Sequence, residues 1–283
     1  MAEYSGRRRI FLAGAVLTLL IFVLSFYRAM SSVSDNYFRE TGIYAWAVLG
    51  LCIFWLYINR ERLLSELGTP ELHHRAAGGV LLLAGLWLLL AVTEPRFVAL
   101  GAVSILTGLT LAVYGRAGTI PAVVTGVFAF AVAFPHIFGM YLEERYSLTT
   151  TRILAGVLSL LGYEFVREGQ TISFTDFSGN PIAVWIGMPS SGIASVTIFL
   201  SLFALMSLDY PMSWKKRLGL FLFGILGTSA QNILRLVLIV LAGYHYGWDT
   251  LRLVHDYAGY FIFPAWFLVF VMVYLRVAEG EAK

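Results

Sequence analysis

Arg235 stands inside an otherwise apolar run, with Asn232 three residues before it and Thr228 seven before it. At helical spacing the three share one face, a polar stripe that must meet protein or water rather than lipid. An ionisable side chain within such a run costs at least about 2.5–3.5 kcal/mol to insert, which makes Arg235 a functional candidate. An arginine that snorkels to headgroups or ties helices together is the plainer alternative. A second candidate is Gly187-Met188-Pro189-Ser190-Ser191-Gly192-Ile193, at the start of another apolar run. Ser190 or Ser191 falls in the N-cap region, where unpaired N–H groups and the positive helix end favour a thiolate or oxyanion. Serine is also an ordinary N-cap residue. Third, His245, Asp249, Arg252, His255 and Asp256 crowd the segment from Tyr244 to Ala258. Histidine titrates near neutral pH and serves as general acid or base, although a single histidine is more often structural.

The elements that must position these residues follow from composition. Of 283 residues, 59% are hydrophobic and 13% charged, against roughly 25% charged in a soluble domain. The apolar residues fall in runs of about 17 to 25, the length of a bilayer-crossing helix. Continuous rather than alternating apolarity selects helices over a barrel. The expected fold is therefore an all-α polytopic membrane protein of about eight transmembrane helices, near 10–27, 41–58, 77–93, 97–115, 120–141, 191–208, 218–243 and 259–277. With the N-terminus inside, the inner segments carry twelve basic residues, including Arg7, Arg8, Arg9, Lys215, Lys216, Arg217 and Lys283, while the outer ones carry seven, among them Arg28, Arg39 and Arg96. The positive-inside rule then places both termini in the cytoplasm. The first run is long for a signal peptide and lacks a clear small-x-small site, so it reads as a retained helix.

The longest hydrophobicity break, 142–190, falls outside in this topology. It opens with an amphipathic stretch (Ile153, Leu154, Val157, Leu158, Leu161) suited to the interface. Thr171 to Phe174 then alternates, Ser178-Gly179-Asn180-Pro181 signals a turn, and Ile182 to Ile186 is a second apolar run, so a short extracytoplasmic β-hairpin is expected over 164–186. The chain divides into five N-terminal helices (1–141), this loop (142–190) and a three-helix core (191–283). Arg235, about 17 residues from the inner end of its helix, lies about 25 Å up at about 1.5 Å per residue. Ser190 starts a span from outside and His255 precedes the last span, so all three converge at the outer membrane face. His136 lies in the outer third as well.

Several chemistries are poorly served. His73-His74 lies opposite His136, His245 and His255 and no His-Glu-x-x-His occurs, so neither a metal nor another cofactor is expected. A rhomboid-type serine protease expects Gly-x-Ser-Gly, whereas Pro189 stands two before Ser191. The net charge of +3, dispersed over short loops, argues against nucleic acid. The single cysteine, Cys52, lies inside an apolar run and permits no intrachain disulfide.

The order Ser190-Ser191-Gly192-Ile193, then Asn232-x-x-Arg235, then His255 with Gly259 resembles the exosortase/archaeosortase family of membrane cysteine transpeptidases, and within it the archaeal branch with Pro-Gly-Phe-type signals. The motif portion covers about 190–260; the first five spans match only in number and hydropathy. Ser190 stands where the family has its nucleophilic cysteine. Either this serine is natural, or a cysteine was replaced to trap substrate or stabilise the protein, the latter being preferred; Cys52 sits too deep to substitute.

The resemblance implies that Ser190 (as cysteine), Arg235 and His255 are catalytic, supported by Ser191, Gly192, Asn232 and Arg252. It also implies as partners the C-terminal transmembrane tail of a secreted or cell-surface protein and a membrane lipid as acceptor, with the chain as written inactive or very slow. The rival expectation is a transporter or channel in which Arg235 and Asn232 bind an anionic solute. That alternative needs a polar path to the inner side, yet only Thr228 and Ser229 lie below Arg235 before Gly224 and an apolar base.

Overall fold

The computed structural model describes residues 2–34 and 43–280, with side chains for 6–34, 43–135, 137–138, 141–187 and 190–280. Arg39, Lys283, the His136 side chain and the first two residues of the expected second span lie outside the described residues. The elements run α1 (Ala2–Ser31), α2 (Ile43–Ile58), α3 (Arg60–Ser65), α4 (Leu72–Ala91), α5 (Pro95–Tyr114), a 3-10 turn (Gly115–Gly118), α6 (Thr119–Leu160), β1 (Val166–Glu168), β2 (Thr171–Thr175), β3 (Pro181–Trp185), α7 (Met188–Ser191), α8 (Ile193–Asp209) and α9 (Trp214–Glu279). Four described stretches are long and apolar enough to cross a membrane: Gly6–Ser31, Leu72–Ala91, Pro95–Pro135 and Trp214–Glu279. Ile43–Ile58 and Ile193–Asp209 are shorter apolar helices. The chain forms two compact units, Met1–Ala133 and Phe134–Lys283.

In the first unit α4 and α5 pack through glycine. A Cβ on Gly78 would stand 2.7 Å from the Gly108 carbonyl, and one on Gly85 2.6 Å from that of Gly101. Helices surrounded by lipid gain little from burying apolar surface against each other, so close backbone approach through small residues supplies the packing. Ala29, Leu89, Val98 and Ile105 fill the core beside this contact. Arg28, at the end of α1, donates through Nη2 to the Leu90 carbonyl at 3.0 Å, answering an unpaired carbonyl at the end of α4.

The second unit departs from the sequence expectation in three ways. First, the hydrophobicity break at 142 does not end a helix: the expected fifth span and the amphipathic stretch are one continuous helix, α6, with Pro135 inside it. Charged residues are tolerated within a helix wherever its backbone bonds continue, so a dip in hydropathy marks a change of environment and not a helix end. Second, the hairpin is a three-stranded antiparallel sheet in the order β1-β2-β3. The expected hairpin pairs β2 with β3, Phe174 opposite Ile182. β1 joins through a two-residue turn at Gly169 (φ 59°), glycine being the residue that permits the positive φ such a turn needs. Only three residues long and exposed throughout, β1 has no alternating pattern to announce it. Third, the expected outer loop 244–258 is helical apart from Gly247, whose φ of 79° and ψ of −174° break α9 into two limbs.

One sheet face (Ile172, Phe174, Ile182, Ile186) is buried against Leu154 and Leu158 of α6 and Leu236, Ile239, Val240 and Leu251 of α9. The β2–β3 turn also caps the first limb of α9, because the Phe177 N–H donates to the Tyr244 carbonyl at 3.1 Å. Asp176 holds that turn. Its Oδ1 accepts from the N–H groups of Asn180 (2.8 Å) and Ser178 (2.9 Å), and its Oδ2 accepts from the Asn180 side-chain amide at 3.2 Å. These donors, the Asn180 N–H foremost, hold the carboxyl below its ordinary 3.8.

Because the folded pKa lies below the unfolded one, Asp176 stabilises the turn above the unfolded value, and this contribution is lost as pH falls through the folded value. Protection factors of the Ser178 and Asn180 amides therefore fall as pH is taken below about 3.8, and Asp176→Asn removes this dependence. The α7–α8 junction carries a second expectation. Gly192 has φ 99°, and a Cβ there would lie 2.8 Å from the Asn232 amide. Gly192→Ala lowers unfolding stability in detergent by about 1–3 kcal/mol, whereas Gly156→Ala, whose Cβ meets nothing within 4 Å, is neutral or stabilising.

Candidate active site

The Ser190 region is built around a helical break. Gly187 precedes the single turn α7, with Pro189 near its start, where a missing N–H costs nothing. The N–H groups of Ser190 and Ser191 both donate to the Gly187 carbonyl at 3.0 Å. Gly192, left-handed, then ends α7 and is itself the N-cap of α8, with no side-chain cap. The expectation that Ser190 or Ser191 caps the long helix is thus corrected: both lie in the preceding turn, because only glycine adopts φ 99° without strain at the junction. Ser190 is half-buried and Ser191 is 3% exposed.

Asn232 joins this turn to α9. Its Nδ2 donates to the Ser190 carbonyl at 3.2 Å, and its side chain lies where a Cβ on Gly192 would be. Asn232 is 3% exposed, so its contact is made away from solvent. Thr150 of α6 approaches from the other side, its hydroxyl 3.5 Å from the Ser191 carbonyl.

One turn beyond Asn232, Arg235 reaches the second limb of α9. Its Nη2 donates to the His255 main-chain carbonyl at 3.1 Å, and its Cζ lies 5.8 Å from the Phe263 ring centroid, within cation–π range. His255, Gly259 and Phe263 recur every four residues and so share one helical face. A Cβ at Gly259 would stand 3.5 Å from Arg235 Nε, in ordinary van der Waals contact, so the guanidinium passes close over this part of the helix. The His255 imidazole takes another direction, its Nδ1 pairing with Asp256 Oδ1 at 3.2 Å, with the ring about half exposed. Asp256 also provides a favourable charge interaction for Arg235.

The expected group in 244–258 therefore divides. His255 and Asp256 belong with Arg235. His245 belongs with the sheet, bonded to the Tyr163 hydroxyl at 2.9 Å and stacked on Phe177. Asp249 joins Asp176, Ser178 and Asn180 around an open depression of about 410 Å³ at the Gly247 break. Arg252 is exposed. Cys52 belongs to the first unit, fully buried, its thiol 3.9 Å from the Val124 carbonyl. Among the described residues no cluster of three or more His, Cys, Asp or Glu side chains is arranged to hold a metal ion.

Sequence reasoning passed over two buried residues. Gln231 is 7% exposed and Ser147 fully buried, and neither the Gln231 amide atoms nor the Ser147 hydroxyl meets a partner among the described residues. Gln231 sits four before Arg235, a spacing that could have flagged it. Nothing in the sequence marks Ser147, since its burial depends on how α6 packs.

Below this cluster the unit is filled by aromatic rings. Thr228 accepts from the Trp266 indole at 3.0 Å. Gly224 is covered by Phe199 and Phe270, and Gly227 by Trp266. The polar stripe thus stops at Thr228, leaving the anion-pathway alternative without support.

No curated protein and no solved structure gives a significant match to the chain. A family model described as transmembrane exosortase does match, over residues 34–272, a span that contains Ser190, Asn232, Arg235 and His255. With most of its length inside that match, the chain belongs to the transmembrane exosortase family.

Proposed function

We propose that the chain has the architecture of a membrane-embedded peptidase or transpeptidase with its nucleophile position at Ser190. Its family comprises membrane cysteine peptidases and transpeptidases that act on C-terminal sorting signals. The observation that carries the assignment to particular residues is the bridge from Ser190 through Asn232 to Arg235 and on to His255, formed by the 3.2 Å and 3.1 Å contacts. Three segments distant in sequence are tied into one cluster by these polar bonds.

In the cysteine form, the thiolate at position 190 attacks a peptide carbonyl beside the substrate's C-terminal transmembrane helix. Arg235 stabilises the negative charge that passes to the carbonyl oxygen. With Nδ1–H of His255 directed at Asp256, Nε2 is left as the base that exchanges protons with the leaving amine and the incoming nucleophile. The thioester then passes to a lipid-borne amine or to water. Ser191 and Gly192 shape the turn, and Arg252 is the reserve cation. Serine lacks the intrinsic acidity of a thiol, so the chain as written is inactive or very slow.

The topology proposed with this chemistry has eight passes in the cell membrane, both termini cytoplasmic and the site near the outer face. At about 1.5 Å per residue a helix of 66 residues spans about 100 Å, far beyond a core of about 30 Å, so α9 must turn back at Gly247. The substrate class proposed is that of the archaeal branch, with tails of the Pro-Gly-Phe type.

Mass spectrometry of a membrane-anchored protein with such a tail, co-expressed with each form, tests this. Ser190→Cys releases the tail, and the unaltered chain does not. In the Ser190→Cys background, Arg235→Ala and Arg235→Lys each lower release by about 10²–10³-fold, lysine lacking the planar fork. His255→Ala lowers it by about 10²–10⁴-fold. Failure of both forms to cleave, while folded in the membrane, would sink the assignment.

A further inference from the structure

Gln231 is 7% exposed, and neither its Nε2 nor its Oε1 has a hydrogen-bond partner among the described residues. Both ends of a buried primary amide left unmet strongly disfavour the folded state, and native proteins meet such groups with water or a ligand. Gln231 is not isolated in this. Arg235, four residues on and therefore on the same face, has an unpartnered buried Nε, and the neighbouring Asn232, 3% exposed, has an unpartnered Oδ1. Two donors and two acceptors thus stand unmet along about one helical turn.

We infer that Gln231 binds the main chain of the substrate polypeptide, Oε1 accepting a peptide N–H and Nε2 donating to a peptide carbonyl. The inference rests on the peptidase reading above. Its chemistry comes from the mixture of unmet groups. A phosphate headgroup or a carboxylate offers acceptors alone, which would suit Gln231 Nε2 and Arg235 Nε but leave the two amide oxygens facing negative charge. An apolar tail helix answers none of them. An extended peptide presents N–H and C=O in alternation and answers both kinds.

The position is equally suited. Gly227, one turn below Gln231, meets Trp266, and Arg235, one turn above, meets Phe263 and the His255 carbonyl. Gln231 therefore lies on the face turned toward the second limb of α9. It is one residue, about 1.5 Å of helix rise, from Asn232, which bonds Ser190. A peptide held by Gln231 lies at the level of the nucleophile position.

The test measures binding to the full chain as written, held in lipid nanodiscs. The probe is a fluorescent peptide carrying Pro-Gly-Phe ahead of an apolar helix, in a normal form and in a form N-methylated along the preceding extended residues. Gln231→Met keeps the volume and removes the amide, with Gln231→Leu as the second variant should methionine fail to fold. The expected result is a loss of affinity of about tenfold or more for the normal peptide, with the unfolding temperature of the peptide-free protein unchanged or raised. N-methylation weakens binding to the parent chain but not to Gln231→Met, a coupling that a purely structural glutamine does not produce.

Equal affinity of the parent and Gln231→Met for the normal peptide, as expected if buried water alone meets the amide, overturns the inference and leaves the peptidase reading intact. It is likewise overturned if anionic lipid, rather than peptide, stabilises the parent and that effect is what the variant loses. A parent that binds no such peptide overturns both.

Discussion

The bond from the Asn232 amide to the Ser190 carbonyl is the interaction on which the second unit depends. A carbonyl at a helical break lacks its helical partner, and where water reaches it poorly a donor in the protein must answer it. Asn232, three per cent exposed on the facing helix, supplies it. That requirement fixes Gly192, because any side chain there would occupy the space of the asparagine amide. Gly192 in turn fixes the change of direction between α7 and α8, and so where Ser190 stands. One hydrogen bond thereby couples Ser190, the nearby Gly192 and the helix that carries Arg235.

Glycine performs a related task elsewhere in the fold. Gly224 and Gly227 receive the rings of Phe199 and Trp266, and the pairs Gly78/Gly108 and Gly85/Gly101 bring α4 and α5 together. Without a hydrophobic drive between helices, close packing and buried polar bonds carry more of the specificity. A polar group that such packing leaves unmet is therefore informative, since lipid cannot satisfy it. The Gln231 amide, the Asn232 oxygen and Arg235 Nε are of this kind.

The electrostatic arrangement gives Arg235 and the His255 ring different partners. Arg235 is oriented by the His255 main-chain carbonyl and the Phe263 ring face, with the Asp256 carboxylate adding a favourable charge interaction. The imidazole of His255 is oriented by the adjacent Asp256 carboxylate and remains open to solvent on its other side. The same short stretch of helix thus supplies a carbonyl to Arg235 and an imidazole paired with Asp256. On the proposed reading, serine at 190 leaves this framework in place while withholding a readily ionised thiol.

Much of the candidate site was legible in the sequence because the penalty for polar groups in lipid is local and severe. Arg235 and Asn232 announce themselves as exceptions within an apolar run, and the helical period alone puts them on one face. The β2–β3 pair was legible for a similar reason, its alternation and the Asp176-to-Pro181 turn being short-range signals. Helix ends were less so. The α6 helix runs through Glu143, Glu144 and Arg145, and α9 runs to Tyr246 and on from Trp248 through a segment that hydropathy marks as a loop, because helical hydrogen bonds are indifferent to the polarity of the side chains outside them.

By itself, then, the sequence determined that the chain is helical and membrane-embedded, and which polar residues needed an explanation. Tertiary structure alone decided that Ser190 precedes the helix break instead of capping the helix, that Arg235 grips the backbone of His255 and not its ring, and that the Gln231 amide is buried without a hydrogen-bond partner among the described residues. Those outcomes depend on which groups of distant segments come within about 3 Å of each other, a matter of packing that no local pattern along the chain encodes.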